Sequence, residues 1–174
     1  TRLFALSRGL EIGTHGGRFV LAQTTPPRTF NCVMANETSS SDVTDGRLFT
    51  TLVDFNNATE TMMPQLAKSW EVSPDGRIST WHLRRGAAFT DGHPITSVDV
   101  LFTFGVYMDD TLHNSLYDFF KPYGQKFKLS APDPYTVVIN TIKPHTGLVD
   151  ALTGLSILPK HVLEPAYKSG NFAA

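Results

Sequence analysis

Cysteine is almost missing from this sequence: Cys32 is the only one in 174 residues. One thiol cannot close an internal disulfide, nor can it supply a multi-cysteine zinc or iron–sulfur site. It leaves the compartment open, because exported chains without disulfides and reduced cytosolic chains look alike on this count. An excess of one charge is missing too. Against 15 Lys and Arg stand 16 Asp and Glu, for a net charge of −1 and a pI near 6.5. That balance offers no electrostatic footprint for nucleic acid or an anionic membrane. No apolar run approaches the ~18 residues of a membrane-spanning helix. The opening stretch TRLFALSRGLEIGTHGG has two arginines and a short apolar patch, but no signal-type apolar core or cleavage site. Residues 1–16 therefore read as a tether, with any export signal absent or removed before residue 1.

Catalytic signatures are also lacking. His15, His82, His93, His113, His145 and His161 never stand three or four positions from one another or from Cys32. Dedicated metal sites need such clustering, so a metal site is not expected. There is no HExxH, GxSxG or SxxK, and neither a GxxxxGK[ST] nor a GxGxxG phosphate cradle. A lone cysteine beside a loop, with no motif around it, reads as a small packed residue. No cofactor is implied.

What the sequence does have is turns and short elements, with 13 glycines, 11 prolines and 41% hydrophobic residues. RFVLAQ, 18–23, suits a buried strand, stopped by Pro26 and Pro27. ETSSSDVTDGRLFTTLVDFNN, 37–57, opens with candidate N-caps and places Val43, Leu48, Phe49, Leu52 and Val53 on one helical face. It predicts a helix, weakened by Gly46, with MMPQLAKS as a connector.

A hairpin follows. SWEV and RISTWHLR are extended runs joined by SPDG, whose Pro, Asp and Gly form a strong turn signal. Period-two alternation puts Ser79, Trp81 and Leu83 on one face and Ile78, Thr80 and His82 on the other. Trp81 and Leu83 are the predicted core, with Trp70 across from them. Then a helix start is written out. Thr96 is its N-cap, Asp99 the N3 acid of a capping box, and Ile95 and Val100 a hydrophobic staple. Val100, Leu101, Phe104 and Met108 form its predicted buried face. The preceding DGHP, 91–94, becomes the turn that delivers the chain to this cap.

Downstream, LYDFFKPYG suits a helical turn or a loop, and KFKLS and YTVVINT read as strands joined by APDP. TGLVDALTGL reads as a short helix. SILPKHVLEPAYKSG reads as a strand end, a proline break and a helix stopped near Gly170. Hairpins mixed with helices, without regular βα alternation, argue for a mixed α/β fold leaning to α+β.

MPQLAKSWEVSPDGRISTWHLRRGAAFTDGHPITSVDVLFTF, 63–104, resembles the signature of the family 5 extracellular solute-binding proteins. These are oligopeptide, dipeptide and nickel receptors of ABC importers. The residues carrying the resemblance are Pro64, Leu66, Ala67, Trp70, Asp75, Gly76, Trp81, Leu83, Arg84, Gly86, Phe89, Asp91, Gly92, Thr96, Asp99 and Val100. GRFVLAQTTPPRTFN, APDPYTVVIN and ILPKHVLE echo the family more weakly, so the resemblance covers roughly 17–165. Family members are much longer. The resemblance implies a periplasmic-binding-protein-like fold of type II, present as part of lobe I plus the extra domain often called domain II. It divides the chain into the tether 1–16, a first lobe I segment 17–57, the extra domain 58–154 and a return into lobe I, 155–174.

The function implied is an extracytoplasmic receptor, periplasmic or extracellular and with lipid anchoring open. It would deliver a peptide-like solute to an ABC permease by lobe closure, without catalysis. Nickel, haem, opines and oligosaccharides are ligands of other relatives. Two other classes stay open: a solute-sensing module joined to a DNA-binding domain, which an upstream helix-turn-helix would reveal, and an enzyme completed outside this stretch, which turnover would reveal. In a two-lobe receptor the ligand meets loops at strand ends. That singles out QTTPPRTFN, with Thr24, Thr25, Pro26 and Asn31, and an apolar wall from Phe119 and Tyr123. An ordinary strand-ending turn and aromatic core packing are the structural alternatives for these residues. With the opposing lobe absent, an uncovered face around Phe19, Leu21, Leu155 and Ile157 predicts self-association.

Overall fold

The computed structural model describes residues 17–172, apart from 19, 21, 46 and 113. Its main layer is an antiparallel sheet of β3 (Ala67–Val72), β4 (Ile78–Leu83), β6 (Thr136–Asn140) and β5 (Lys128–Asp133), in that spatial order. The SPDG turn closes the β3–β4 hairpin. Gly76 takes the positive φ (67°) that the turn needs, and a Cβ there would sit 3.3 Å from Pro144. The register sets Trp70 against Trp81, with the indoles stacked at 5.3 Å. As the alternation predicts, Ser79, Trp81 and Leu83 are buried, and the Trp81 indole N–H donates to Ser79 Oγ at 2.8 Å. β6 continues the same face with Val137 and Ile139. β5 runs on to Asp133, so the β5–β6 turn is Pro134 and Tyr135, beginning only at the last residue of APDP.

Helix α2 (Ser97–Tyr107) lies against β5 and β6. Its start is the predicted capping box: Asp99 Oδ2 accepts the backbone N–H of Thr96 at 2.9 Å and its hydroxyl at 3.2 Å. Val100, Phe104 and Met108 are buried as expected, joined by Val106 and Tyr107, while Leu101 is half-buried. Phe120 in the short helix α3 (Tyr117–Phe120) meets Phe104 edge-on at 5.2 Å. A 3-10 turn, Pro122–Gly124, and helix α4 (Leu148–Ala151) complete this side. Helix α5 (Lys160–Lys168) packs on α2, and Gly170 follows it with φ 77°.

The region 37–57 differs from the single helix predicted for it. Helix α1 is Thr38–Thr44 only, and the backbone turns extended at Asp45. There the Thr44 hydroxyl bonds Ser40 O and the Asp45 carboxylate, at 3.2 and 3.0 Å. Short polar side chains that bond their own backbone compete with helix continuation. Leu52 and Val53 are fully buried, but Leu52 lies in a bend and Val53 opens β1 (Val53–Asn56). β1 pairs with β2 (Thr61–Pro64), so the supposed connector MMPQLAKS supplies part of β2 and the start of β3. The 57/58 division falls in the turn of this hairpin.

The strand predicted over 18–23 does not form among its described residues, and Val20 is 72% exposed. Phe19 and Leu21 lie outside the described residues. Ser156, Ile157 and Leu158 belong to no strand. They are buried, with the Ile157 N–H on Thr50 O at 2.8 Å. Leu155 and Ile157 are both 0% exposed, so they do not form the uncovered face on which self-association was expected. α2, Cys32, Val33 and Leu52 cover that segment within one core.

Candidate functional site

A cleft of ≈ 500 Å³ opens between residues 22–28 and α1. Its lining includes Thr24, Thr25, Arg28, Glu37, Thr38 and Asp42. One buried hydroxyl ties its two walls together. Ser40 Oγ, in a residue 0% exposed, accepts the backbone N–H groups of Arg28 and Thr29 at 3.1 and 3.2 Å. Its proton goes to Glu37 Oε1, and that bond is the main cause holding the Glu37 carboxyl below its ordinary range. Across the cleft, Gln23 Nε2 donates to Ser39 O at 3.0 Å. The loop is therefore fixed by α1 side chains and backbone, with Thr24 and Thr25 exposed at its tip. Such a site can offer hydroxyls, an amide and charges of both signs.

The six residues named from sequence do not all gather here. Thr24 and Thr25 line the cleft, and Pro26 is exposed beside them. Asn31 is engaged in the fold. Its Nδ2 donates to Phe172 O at 2.7 Å, and its Oδ1 accepts the Val33 N–H at 3.1 Å. Phe119 is on another part of the chain, packed on Phe120 (5.5 Å) and His145 (4.4 Å). Tyr123 lies in the 3-10 turn, and its side chain is outside the described set. The sequence reading missed Gln23, Arg28, Glu37, Ser40 and Asp42 as a group. The polar run ETSSSD, 37–42, did carry a signal for Glu37, Ser40 and Asp42, since it is more polar than one helix cap requires; Gln23 and Arg28 lie outside it.

A second cleft, ≈ 530 Å³, lies along residues 45–57. Asp54 in its lining is engaged within the chain. Asp54 Oδ2 accepts from Gln65 Nε2 at 3.3 Å, and Oδ1 accepts the Phe55 N–H at 2.8 Å.

The DGHP turn proves to be a tether between distant segments. Asp91 Oδ1 accepts the His93 N–H at 2.9 Å, Gly92 has φ 88°, and Asp91 Oδ2 meets His161 Nε2 at 2.6 Å. The His93 and His161 rings stack at 3.9 Å. The His161 hydrogen bond is the main cause holding the Asp91 carboxyl below its ordinary range. The pair joins the turn to the first turn of α5. Burial pushes the Cys32 thiol up to about 11, which disfavours the reactive thiolate. Among the described residues, no three His, Cys, Asp or Glu form a group that could hold a metal ion. No described helix is long and apolar enough to cross a membrane.

Residues 61–174 match bacterial extracellular solute-binding proteins, family 5 Middle. The chain belongs to this family. A relative in Brucella ovis, named as an ABC transporter peptide-binding protein, is 31% identical over 92% of this chain. The chain spans 29% of that relative's length. Among solved structures, the periplasmic binding protein AgaA of A. tumefaciens R10, in complex with agropinic acid, matches with a TM-score of 0.73 and 29% identity. That match covers 83% of this chain and 29% of AgaA. The periplasmic binding protein DppA of Helicobacter pylori, in complex with the peptide STSA, matches at TM-score 0.68 and 25% identity. It covers 85% of this chain and 32% of DppA. The mixed α/β fold is thus that of the periplasmic binding proteins, present in part.

Proposed function

We propose that the complete protein is the solute-binding receptor of an ABC importer, and that a peptide-like solute contacts this portion at Thr24 and Thr25. The observation that carries the reading is the cleft beside α1, in a chain similar over 92% of its length to a peptide-binding relative. Ligand held between this portion and an opposing lobe would stabilise the closed form by its greater affinity for it. A membrane permease would then recognise the closed shape. In this reading the protein works outside the cytoplasmic membrane and returns its ligand chemically unchanged. Residues 17–57 and 155–174 belong to one lobe, a division supported by the Asn31–Phe172 and Thr50–Ile157 hydrogen bonds.

The test is calorimetry on the complete protein with peptide pools, followed by mass spectrometry of the recovered peptides. Saturable heat and intact peptides are expected. The double variant Thr24→Ala, Thr25→Ala should weaken binding while leaving the thermal midpoint in place, since both side chains are exposed. Unaltered affinity in that variant would move the ligand elsewhere, and peptide cleavage would replace the receptor reading by an enzyme.

A further inference from the structure

Away from the α1 cleft, Asp91, His93 and His161 join two segments that the lobe division proposed above sets apart. Asp91 and His93 stand in the turn at 91–94, and His161 stands in α5 of the returning lobe segment. His161 Nε2 lies 2.6 Å from Asp91 Oδ2. An ionised carboxylate only accepts, so that ring nitrogen carries the hydrogen. The His93 ring lies on the His161 ring, with centroids 3.9 Å apart and planes 19° from parallel. Among the described residues His93 has no ion pair of its own. The other charges nearby are committed elsewhere. On α5, Lys160 and Lys168 both pair with Glu164, at 4.0 and 2.9 Å. On α2, Asp99 accepts the N–H groups of Thr96 and Lys160. Phe89, 5.5 Å from the His161 ring, is uncharged. Two imidazoles therefore share one carboxylate.

We propose that the stacked pair is a pH-sensitive latch between the 91–94 turn and α5, closed while the two rings hold at most one proton beyond neutrality and released in mild acid when both are charged. Asp91 balances the first added proton. A second sets two like charges 3.9 Å apart against a single carboxylate. Histidine ordinarily changes charge between about pH 5 and 8. An open turn takes the second proton freely, whereas the closed stack resists it. The open form therefore binds more protons, and falling pH favours it. The two steps belong to the pair, because each ring feels the other's charge. Asp91 does not itself supply the response: its carboxyl is held below the ordinary carboxylate range and stays ionised through that window. Release frees the turn and leaves α2 joined to the chain at α5. Asp99 still holds the Lys160 N–H at 3.2 Å, and Thr103 the Leu158 N–H at 2.9 Å. Acid thus loosens one corner of the joint between the two parts and spares its buried contacts.

The experiment is amide hydrogen exchange by mass spectrometry on the complete protein at low salt, at about pH 7.5 and about pH 5, with rates corrected for the intrinsic effect of pH. The reporters are the Phe89 and Gly92 N–H groups, which are bonded within the turn to His93 O and Phe89 O at 2.9 Å. In the wild type their protection should fall by about fivefold or more in acid, the repulsion of two unit charges at ~4 Å even in bulk water. Exchange in α2 should stay slow at both values. His93→Phe keeps a ring to stack on His161 and cannot gain a proton, so its turn should be equally protected at both. His93 is exposed, and an unchanged thermal midpoint at pH 7.5 will show that the variant is folded. Equal wild-type protection at the two values overturns the latch. So does an acid loss of the same size in His93→Phe, because the responsible proton then lies elsewhere. A turn left unprotected at both values in His93→Phe overturns it as well, since stacking would then not be what holds the turn. None of these results touches the receptor reading, which peptide calorimetry tests separately.

Discussion

The backbone N–H of Lys160 donates to Asp99 Oδ1 at 3.2 Å across 61 positions of chain. Through its other oxygen, Asp99 also caps α2 at Thr96. One carboxylate, 3% exposed, thus serves the first turns of two helices, whose free N–H groups favour an anion. Thr103, one turn along α2, repeats the device: it donates to Asp99 O at 2.8 Å and accepts the Leu158 N–H at 2.9 Å. Thr96→Ala should therefore lower stability by about 1 kcal/mol, the usual size of a lost cap. Asp99→Ala leaves buried donors without partners and should cost more, on the order of 1–3 kcal/mol beyond the cap. Urea unfolding of the three proteins checks the order; equal losses would mean that the Lys160 contact contributes nothing.

Trp81 is 0% exposed and stacks on Trp70, which is only half-buried. Trp81→Ala should destabilise the protein by about 3–5 kcal/mol, through lost burial and the cavity left behind. Trp70→Ala should cost less, because its ring is already partly in water. Denaturant midpoints followed by far-UV circular dichroism will rank the two.

Acid should weaken the β3–β4 turn. Asp75 accepts the Ser73 hydroxyl at 2.5 Å and Arg77 Nε at 2.7 Å, and its carboxyl is held at about 2, chiefly by the Ser73 hydrogen bond. An unfolded aspartate titrates near ~3.9. Because the folded value is the lower one, the contribution is complete above ~3.9 and is lost as pH falls toward about 2. The stability gap between wild type and Asp75→Asn should be constant from neutral pH to about 5, then close across that window. The exposed site makes the gap small. A gap unchanged down to pH 2 would remove this account.

Cys32 should resist thiol reagents in the folded protein. The residue is 9% exposed, and burial holds its thiol up at about 11, so little thiolate is available at neutral pH. Labelling by iodoacetamide at pH 7.5 should be slow and should quicken sharply in unfolding concentrations of guanidinium. Equal rates in both conditions would show that this part of the core opens easily.

What the sequence determined by itself is local. The capping box at Thr96 and Asp99, the SPDG hairpin and the buried face of Ser79, Trp81 and Leu83 depend on groups within a few positions, where residue type and period specify the geometry. Thr24 and Thr25 are exposed on the lining of the α1 cleft, and their contact with a ligand is the proposal made above. The tertiary structure decided the rest. Val43, Leu48, Phe49, Leu52 and Val53 fit a helical period, but Val53 found a β partner in Pro64, and pairing overrode the pattern. Ser40 looked like one cap candidate among several until the fold brought Arg28 and Thr29 to its hydroxyl. The Asn31 amide is engaged by Phe172, 141 positions away, and Asp91 meets His161 only across 70 positions. Side chains with several competing partners are assigned by the packing of distant segments, because burial, more than local preference, decides which polar groups must pair.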